Sequence, residues 1–344
     1  MALAQNGTQL EWFGTTTFRL RTRGVTIFLD TWLERPSVLP KYLSIDEITE
    51  ADYIFISHAH FDHLPGADRL AIRTGAIVIA NCEAINVLAK AGVPEEQLFR
   101  VAGGERVPLF TRDVRDQAKV KQCSLSPAPP GAPPLPHPSL AVMAAHVWPS
   151  LHCLMPASHP TEIDTGEEFT GAAHEYACTM DITRGMKYGL LKVGDNIPRS
   201  KMDEGMASFA DYIADRTRNV FSHCDGGQIM VSFVIDGKAI LWNAHLGSYE
   251  GIMKCVEPKP EVAILGIAGR ANFNGRPFDG SAAQFALNEV SWLEQPKTVI
   301  WCLHDESPIP PYRIDTRAAT RAIEEKSRSK ILDMKQAKVY EFDI

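Results

Sequence analysis

The sequence predicts a mixed α/β fold in which two β-sheets pack face to face between outer layers of helices. Short apolar runs rich in β-branched residues recur in both halves of the chain and alternate with helical segments. Several runs are almost entirely apolar, which is typical of strands buried on both faces. The predicted strands are Val25–Leu29, Tyr53–Ile56, Ala76–Ala80, Leu140–Ala144, Gln228–Ile235, Ala239–Asn243, Val262–Ile267 and Thr298–Leu303.

Helix signals lie between these strands. Residues Glu83–Ala91 are predicted to form a helix that is ended by Gly92 and Pro94. Ser281 and Gln284 have the spacing of a capping box and precede an apolar stripe at helical spacing. This alternation of strand and helix signals is what places helices on the outside of the sheets.

Composition and charge limit the classes of protein and partner. The chain has 344 residues, 45% of them hydrophobic and 22% charged, which is ordinary for a globular protein of one large domain or two small ones. Its 35 Lys and Arg against 42 Asp and Glu give a net charge of −7, and no basic block stands out. No nucleic-acid partner is therefore expected. The expected partner is a small-molecule substrate, and a homo-oligomer stays open.

The N-terminal residues and the cysteines indicate the compartment. Residues 1–7 lack the basic start and apolar core of an export signal, and no apolar run reaches membrane-spanning length. Seven cysteines are scattered without a CxxC pair, which favours reduced thiols over a disulfide framework. We therefore expect a cytoplasmic protein with no membrane span.

The most informative motif follows the predicted strand Tyr53–Ile56. Four potential metal ligands occur there within six residues, namely His58, His60, Asp62 and His63. His58 and His60 leave an extended backbone on the same face and can converge on one ion. Asp62 and His63 point in other directions and suit a second ion close by. The alternative is a polar loop after a strand, but the joint occurrence favours a metal site.

These four residues match the HxHxDH motif of the metallo-β-lactamase superfamily, which the sequence resembles over most of its length. The opening segments Trp12–Phe18 and Val25–Asp30 are similar to the first strands of that family. The resemblance implies a metallo-β-lactamase-like αββα sandwich that forms a single domain over residues 1–344. Two stretches interrupt it: a partly helical insertion at about 149–218, expected to be a lid or an oligomer contact, and a proline-rich surface loop at 127–138.

The resemblance also implies metal ligands at other strand ends. His146 follows the predicted strand Leu140–Ala144 and would complete a three-histidine site with His58 and His60. His304 ends the last predicted strand and would bind the second metal. A lone histidine after a strand is usually structural, but the matching order of strand and histidine favours ligation in both cases.

Asp30 lies where the strand Val25–Leu29 ends, beneath the implied metals. A buried carboxylate at this position would orient a ligand histidine through the second nitrogen of its ring. The alternative interpretation, that Asp30 caps the following turn, is equally supported by the sequence.

The chain departs from the family pattern at His245. Family members commonly have an aspartate after this strand that bridges both ions, whereas this chain reads Ala239–Gly247 with a histidine in that place. A neutral imidazole offers one lone pair, so His245 cannot bridge. We expect His245 to bind one metal, with the second favoured, or the second site to be weak. The lost negative charge should leave the cluster more electrophilic.

The function implied by the resemblance is a metal-dependent hydrolase in which a metal-bound hydroxide cleaves a small lactone or ester. The implied cofactor is zinc or manganese, with one or two ions per chain, and Asp62 would accept a hydrogen bond from the nucleophile. By order of motifs the chain is most similar to the branch containing L-ascorbate-6-phosphate lactonase and N-acylphosphatidylethanolamine phospholipase D. Two alternatives stay open: a phosphodiesterase, and a catalytically silent metal-binding sensor or scaffold.

Loops after the ligand strands should contact the substrate, and not every histidine is expected to bind metal. The candidate substrate-binding residues are Trp148, Tyr249, Arg270 and Asp305. Arg270 could hold an anionic group, although pairing with Asp279 or solvation is the simpler interpretation. The histidines without a matching family position, which are expected not to be ligands, are His152, His159, His174 and His223.

Overall fold

The computed structural model describes residues 7–155, 160–170 and 179–344. The strands in these residues are, in chain order, β1 (Thr8–Trp12), β2 (Phe18–Thr22), β3 (Val25–Leu29), β4 (Tyr53–Ile56), β5 (Ile77–Ala80), β6 (Leu98–Arg100), β7 (Arg106–Leu109), β8 (Met143–Pro149), β9 (Glu162–Asp164), β10 (Glu168–Phe169), β11 (Ile229–Ile235), β12 (Lys238–Asn243), β13 (Gly247–Ser248), β14 (Val262–Gly266), β15 (Asn272–Phe273), β16 (Arg276–Pro277), β17 (Gly280–Ser281), β18 (Thr298–Cys302), β19 (Arg313–Asp315), β20 (Lys330–Ile331) and β21 (Val339–Phe342).

The helices begin where capping signals stand in the sequence. Asn81 accepts a hydrogen bond from Ala84 at the start of α2, and Ser281 with Gln284 forms the predicted capping box of α8. The α-helices in the described residues are α1 (Ala67–Thr74), α2 (Cys82–Lys90), α3 (Arg112–Lys119), α4 (Thr179–Tyr188), α5 (Val193–Asn196), α6 (Glu204–Ala214), α7 (Glu250–Cys255), α8 (Ala282–Trp292) and α9 (Arg317–Lys326).

Two seven-stranded sheets form the centre of the protein. The strand order is β21-β1-β2-β3-β4-β5-β6 in the first sheet and β20-β18-β14-β12-β11-β8-β7 in the second. Strands β3 to β6 are parallel, and so are β12, β14, β18 and β20. Three short pairings of β9 with β19, β10 with β17 and β13 with β15 and β16 lie outside the two sheets.

Apolar side chains from the two sheets meet in one core between them. Phe55 of β4 and Phe233 of β11 touch across this interface, with ring centroids 5.0 Å apart and planes at 88°. The outer face of the first sheet is covered by α1 and α2, and that of the second by α7, α8 and α9. This arrangement is the predicted αββα sandwich, and the fold prediction is confirmed.

One strand lies in a different position from the one predicted, and this changes the metal site. The segment predicted to end at Ala144 continues as β8 through Pro149. Met143, Ala145 and Val147 face the core between the sheets, so the alternation of β structure puts His146 on the opposite face. The histidine that follows the end of the strand is therefore not His146.

In their described residues, the two predicted interruptions have different local structures. Residues 127–138 form an exposed loop, and an isolated antiparallel β-bridge between Leu125 and Pro136 joins its two ends. The described part of the 149–218 segment contains β9, β10 and helices α4, α5 and α6. Helix α6 packs through Phe209 and Ile213 into a small cluster with Trp32. Among the described residues, no helix combines the length and apolar character that a membrane span requires.

A buried polar network supports the loops that follow β8 and β12. Ser150 Oγ lies 2.8 Å from Asn243 Oδ1 and 3.0 Å from Gly247 O, and Asn243 Nδ2 lies 3.4 Å from Glu289 Oε1 on α8. Glu289 is fully buried, and burial raises the pKa of its carboxyl to about 8. At neutral pH Glu289 is therefore a neutral carboxylic acid.

Glu289 should make stability fall as the pH rises. Between the unfolded carboxyl pKa of roughly 4.3 and the folded pKa of about 8, the folded state binds one more proton than the unfolded state. The free energy of unfolding should therefore decrease across this window, by on the order of a few kcal/mol, and level off above it. Glu289→Gln should remove this component in urea unfolding at pH 5, 7 and 9. Parallel pH curves for wild type and variant would contradict this prediction, and the exposed Glu341→Gln is the control.

Candidate metal centre

The HxHxDH residues lie in the loop that leaves the carboxyl end of β4, in the middle of the first sheet. The loop is held from both sides by backbone hydrogen bonds. Ala59 N donates to Asp225 O at 3.0 Å, and Ser222 N donates back to Ala59 O at 2.8 Å. Thr31 N donates to His63 O at 2.9 Å. The motif therefore has a fixed backbone, although its neighbours in the fold come from distant parts of the chain.

Asp30, at the end of β3, orients the last histidine of the motif. Its carboxylate is fully buried and accepts hydrogen bonds from Ser57 N at 2.8 Å and from Thr16 Oγ1 at 2.6 Å. Asp30 Oδ2 also lies 2.7 Å from His63 Nδ1. This contact selects the tautomer of His63 with a proton on Nδ1 and leaves Nε2 to face the cluster. Asp30 thus contacts a histidine of the motif through the second nitrogen of its ring, and its role in supporting a metal ligand stays a prediction.

Five imidazole rings pack against one another at this point. His58 Nε2 lies 3.0 Å from His60 Nδ1, and the ring centroids of His58 and His63 are 4.0 Å apart. His152, after β8, and His245, after β12, come from the second sheet and stack with centroids 3.8 Å apart. Because the carboxyl ends of β4, β8 and β12 meet at one rim, the two sheets deliver these rings to the same place.

Two groups of three side chains bring their ligand atoms within 4.8 Å of one another. The first contains His58, His152 and His245, and the second contains His58, Asp62 and His63. His58 belongs to both groups, and one imidazole nitrogen can bind only one ion. The arrangement therefore supports one cation directly, and a second only if His60 takes over one of the positions.

The ring nitrogens of this cluster fit a cation. Among the described residues, His60 Nε2 and His245 Nε2 are buried and have no hydrogen-bond partner. A buried nitrogen without a partner costs roughly 1–3 kcal/mol, so two at one place call for an electrophile that they can share. Nitrogen donors together with one carboxylate are the ligand set that zinc and other borderline divalent metals prefer.

Most of these histidines are in the form that binds metal. Burial, reinforced by repulsion between the neighbouring rings, holds the pKa of His58 and His245 well below the ordinary range. Burial does the same for the pKa of His60, where His152 adds to the effect. The rings are therefore neutral at pH 7, and a neutral imidazole has a lone pair to offer.

Asp62 and His63 form a charged pair at the cavity side of the cluster, with Asp62 Oδ2 3.4 Å from His63 Nε2. Burial opposes both charges, yet attraction to His63 lowers the pKa of Asp62 to about 2. Attraction to Asp62 and Asp30 likewise raises the pKa of His63 to about 10. His63 thus carries a positive charge that a bound cation would replace.

Two histidines that the sequence predicts as ligands do not reach the cluster. His146 lies on the outer face of β8, where its Nδ1 is 3.2 Å from Glu257 O. His304 follows β18, but Leu303 has a φ of 62°, and the ring of His304 stacks on Trp12 at 4.9 Å instead. The structure corrects both assignments, since neither ring lies among the other five.

His152 takes the place predicted for His146, although the sequence predicts no ligand role for it. The alternation of Ala145 and Val147 as inward-facing residues is the signal that could have found it, because it extends the strand to Pro149 and makes His152 the first histidine after the strand. His223 lines a different pocket, although its backbone lies within hydrogen-bond reach of the His60 ring. His159 and His174 lie outside the described residues.

A cavity of about 200 Å³ opens directly over the cluster. His60, Asp62, His152 and His245 form part of its lining. Much of the remaining wall is apolar and comes from the motif loop, the insertion and the segment after β18. The apolar lining residues include Trp32, Phe61, Ile163, Ile182, Met186, Leu190, Phe209, Leu303, Ile309 and Ile314.

Of the four predicted substrate-binding residues, Asp305 lines this cavity, and its carboxylate lies 2.7 Å from Arg35. The other three lie elsewhere. Trp148 shares the outer face of β8 with His146 and lies under Arg106, and Arg270 packs over Phe169. Tyr249 precedes α7 and is also absent from the cavity wall. Those three predictions are corrected for this cavity.

Cys153 follows His152 and also lines the cavity, with its Sγ 3.3 Å from His245 Nδ1. Burial and the nearby Asp62 raise the pKa of this thiol to about 12. Cys153 is therefore a neutral thiol at pH 7, which makes it a poor nucleophile. The six described cysteines, Cys82, Cys123, Cys153, Cys224, Cys255 and Cys302, form no disulfide with one another.

The two sheets and the histidine cluster at their rim define a protein of the metallo-β-lactamase fold. Residues 26–142 match the family described as the beta-lactamase superfamily domain. The resemblance indicated by the HxHxDH motif is thereby confirmed for this part of the chain. A metal-dependent hydrolase of Anaeromyxobacter sp. (strain K) is 38% identical over 95 residues, which are 27% of this chain and 34% of that relative.

A second relative matches a segment of similar length. A metal-dependent hydrolase of Thermodesulfovibrio yellowstonii is 32% identical over 113 residues, 31% of this chain and 42% of that relative. The matches therefore span less than half the length of these relatives. Among solved structures, Igni18, a metallo hydrolase from the archaeon Ignicoccus hospitalis, has a TM-score of 0.57 at 19% identity, covering 98% of this chain and 100% of that one.

Two further solved structures share the fold but carry different names. The isothiocyanate hydrolase from Delia radicum gut bacteria has a TM-score of 0.51 at 13% identity and covers 97% of this chain and 98% of that one. CmlA, a diiron β-hydroxylase from Streptomyces venezuelae, has a TM-score of 0.51 at 12% identity and covers 99% of this chain and 55% of that one. At these identities the similarity concerns the fold alone.

Substitution of His152 and of His146 separates the two assignments of the third histidine. We expect His152→Ala to weaken zinc binding by more than about 100-fold, since even the residues that support metal ligands typically contribute 10–100-fold. His146→Ala should bind zinc as the wild type does, because its ring lies on the outer face of β8. Competition with a chromophoric chelator measures both affinities. Equal affinity for His152→Ala and wild type would contradict the placement of His152.

Proposed function

We propose that this protein is a metal-dependent hydrolase that cleaves a small, uncharged ester or lactone. The observation that carries the proposal is a cluster of five histidines and Asp62, from which His60, His152, His245 and Asp62 line a largely apolar cavity. The relatives named as metal-dependent hydrolases support it over the segment that they match. Zinc or manganese, as one or two ions, is the proposed cofactor, since both accept nitrogen and carboxylate ligands.

The residues around the cavity would have different roles in catalysis. His58, His152 and His245 would hold the cation, and Asp62 and His63 form a second group of candidate ligands together with His58. A bound divalent cation supplies a Lewis acid and lowers the pKa of water. Asp62 is ionised and its side chain is 23% exposed, so Oδ2 can accept a hydrogen bond from water that attacks a carbonyl. Asp30 keeps a proton on His63 Nδ1, so that Nε2 is the nitrogen that would lose its proton when a cation binds.

The cavity favours an uncharged substrate over a phosphodiester. Arg313 is the cation among its described lining residues, and it is paired with Glu162 at 2.8 Å. Asp62, Asp305 and Glu306 add negative charge to the wall. Phosphate binding needs converging cationic donors, which the described part of this wall does not offer. Its volume of about 200 Å³ is below the roughly 300–1,000 Å³ of sites for drug-sized ligands, so the substrate should be small.

Turnover of a matched substrate panel tests this proposal. Relative to the uncatalysed rates, zinc- or manganese-loaded protein should accelerate hydrolysis of p-nitrophenyl esters or small lactones at least about 100-fold more than that of bis-p-nitrophenyl phosphate, the difference expected from the unpaired charge of a buried phosphate. Asp62→Ala should lose most of this activity, and His146→Ala should keep it. A preference for the phosphodiester would overturn the substrate class. Inactivity at full metal loading would favour the sensor or scaffold hypothesis instead.

The insertion supplies one wall of the proposed substrate site. Phe209 of α6 packs edge-on against Phe61 of the motif, with ring centroids 5.2 Å apart. Tyr212, one turn later, accepts a hydrogen bond from Trp32 Nε1 at 2.9 Å and donates one to Phe61 O at 3.0 Å. This chain of contacts joins α6 to the residue between His60 and Asp62. The insertion is therefore proposed as part of the substrate site, and its roles as a lid or an oligomer contact stay predictions.

Shortening Phe209 should shift the preference toward longer acyl chains. Each additional methylene that the enlarged cavity buries is worth about 0.8 kcal/mol, or roughly a fourfold gain in relative kcat/KM. We expect this shift in Phe209→Leu, and a larger one in Phe209→Ala if the variant folds, measured with p-nitrophenyl acetate, butyrate and hexanoate. Ile72→Ala, at an exposed position on α1, is the control. An unchanged chain-length profile in both variants would contradict the placement of Phe209.

A further inference from the structure

We propose that Cys153 is a positioning residue that sets the ring orientation and tautomer of His245 for metal binding. This inference rests on the metal site proposed above and extends it to the support of the histidine that departs from the family pattern. His245 stands in the place where the resemblance implies a bridging aspartate, so the family motif indicates no hydrogen-bond partner for its ring. A partner for its second ring nitrogen has to be found in the structure.

Among the described residues, His245 has one such partner, the thiol of Cys153. Its imidazole is 3% exposed, and Nδ1 lies 3.3 Å from Cys153 Sγ, a normal distance for a hydrogen bond to sulfur. Its Nε2 is buried without a partner and belongs to the group that faces His58 and His152. One nitrogen of the ring therefore meets the thiol, while the other is free for a cation.

The thiol can hydrogen-bond to His245 in either tautomer of the ring. A bound cation would therefore determine which tautomer is present. When Nδ1 carries the proton it donates to the sulfur, and Nε2 keeps the lone pair that a metal needs. When Nε2 carries the proton, the thiol can donate to Nδ1 instead. Binding of a cation at Nε2 selects the first arrangement without breaking the contact. Because the sulfur of a thiol is uncharged, it fixes the ring without adding negative charge to the cluster.

The backbone around Cys153 is built for this approach. Cys153 is 5% exposed and follows His152, so one short segment delivers both a ligand and the support of a second ligand. Opposite it, Gly269 has a φ of 86°, and a Cβ there would lie 2.9 Å from Cys153 Sγ and 2.9 Å from Leu154 O. The absence of a side chain at Gly269 keeps the space in which the sulfur lies.

The two supported histidines differ in the charge of their partners. His63 Nδ1 faces the carboxylate of Asp30, which strengthens the ring as a ligand and neutralises charge nearby. His245 Nδ1 faces a neutral thiol, which holds the ring in place but polarises it less. Because Cys153 is neutral, it adds no negative charge to the metal site, which already lacks the charge of the expected aspartate at position 245.

Zinc affinity and the proton of His245 together test this inference. We expect Cys153→Ala to weaken zinc binding by about 10–100-fold, as is typical when the partner of a metal-bound histidine is removed. Cys153→Ser should recover most of the affinity, because its hydroxyl can also accept from Nδ1. In ¹⁵N-resolved NMR of the zinc-loaded full chain, the Nδ1 proton of His245 should be protected in wild type and exchange faster in Cys153→Ala.

The outcomes distinguish this inference from the metal site on which it rests. Cys123→Ala removes a sulfur that contacts Val114 O at 3.8 Å, away from the cluster, and should bind zinc as the wild type does. If Cys153→Ala keeps wild-type zinc affinity and the same protection of the His245 proton, the inference is overturned while the metal site stands. A wild-type protein that takes up no zinc would overturn the metal site and this inference together.

Discussion

The structure depends on one constraint, which is that the carboxyl ends of β4, β8 and β12 meet at a single rim of the sandwich. Backbone hydrogen bonds fix the loop after β4 to the segment around Asp225, and a buried network around Asn243 ties the loops after β8 and β12 together. Imidazoles from three distant segments are thereby packed in mutual contact. Each ring contributes little to stability as a buried polar group, so a shared ligand accounts for their gathering better than packing does.

Replacement of the expected aspartate by His245 changes the electrostatics of this rim. Asp62 is the carboxylate that both faces the cavity and belongs to a group of candidate ligands, whereas Asp30 lies beneath the cluster and acts through His63. A cation bound among neutral rings keeps more of its charge than one bridged by two carboxylates, which favours activation of water and polarisation of a carbonyl. The same shortage of anionic ligands should weaken the hold on a second ion.

Much of the fold and part of the site could be predicted from the sequence. The apolar runs of β3, β4, β12 and β18 indicated their positions within about a residue, and the capping box at Ser281 marked the start of α8. The compact motif from His58 to His63 indicated the metal site, because four metal-ligating side chains within six residues seldom occur together for packing alone. These features are local, and local patterns are what a single sequence records best.

The remaining ligands depended on where strands end, which a sequence records less well. Strand β8 begins three residues later and ends five residues later than the predicted strand Leu140–Ala144. The histidine that follows the strand is therefore His152 and not His146. The positive φ of Leu303 turned His304 toward Trp12, and no pattern in the sequence marks that turn. Part of the cavity wall is formed where Phe209 of the insertion packs beside Phe61 of the motif. This tertiary contact could not be inferred from either segment alone.

The most direct test of a shared cation at this rim is an anomalous diffraction map at the zinc edge from crystals grown with zinc. We expect a peak enclosed by the rings of His58, His152 and His245, with any second peak beside Asp62 and His63. A map without a peak at this rim under saturating zinc, or a peak located at His146 or His304 instead, would contradict the placement of the metal centre.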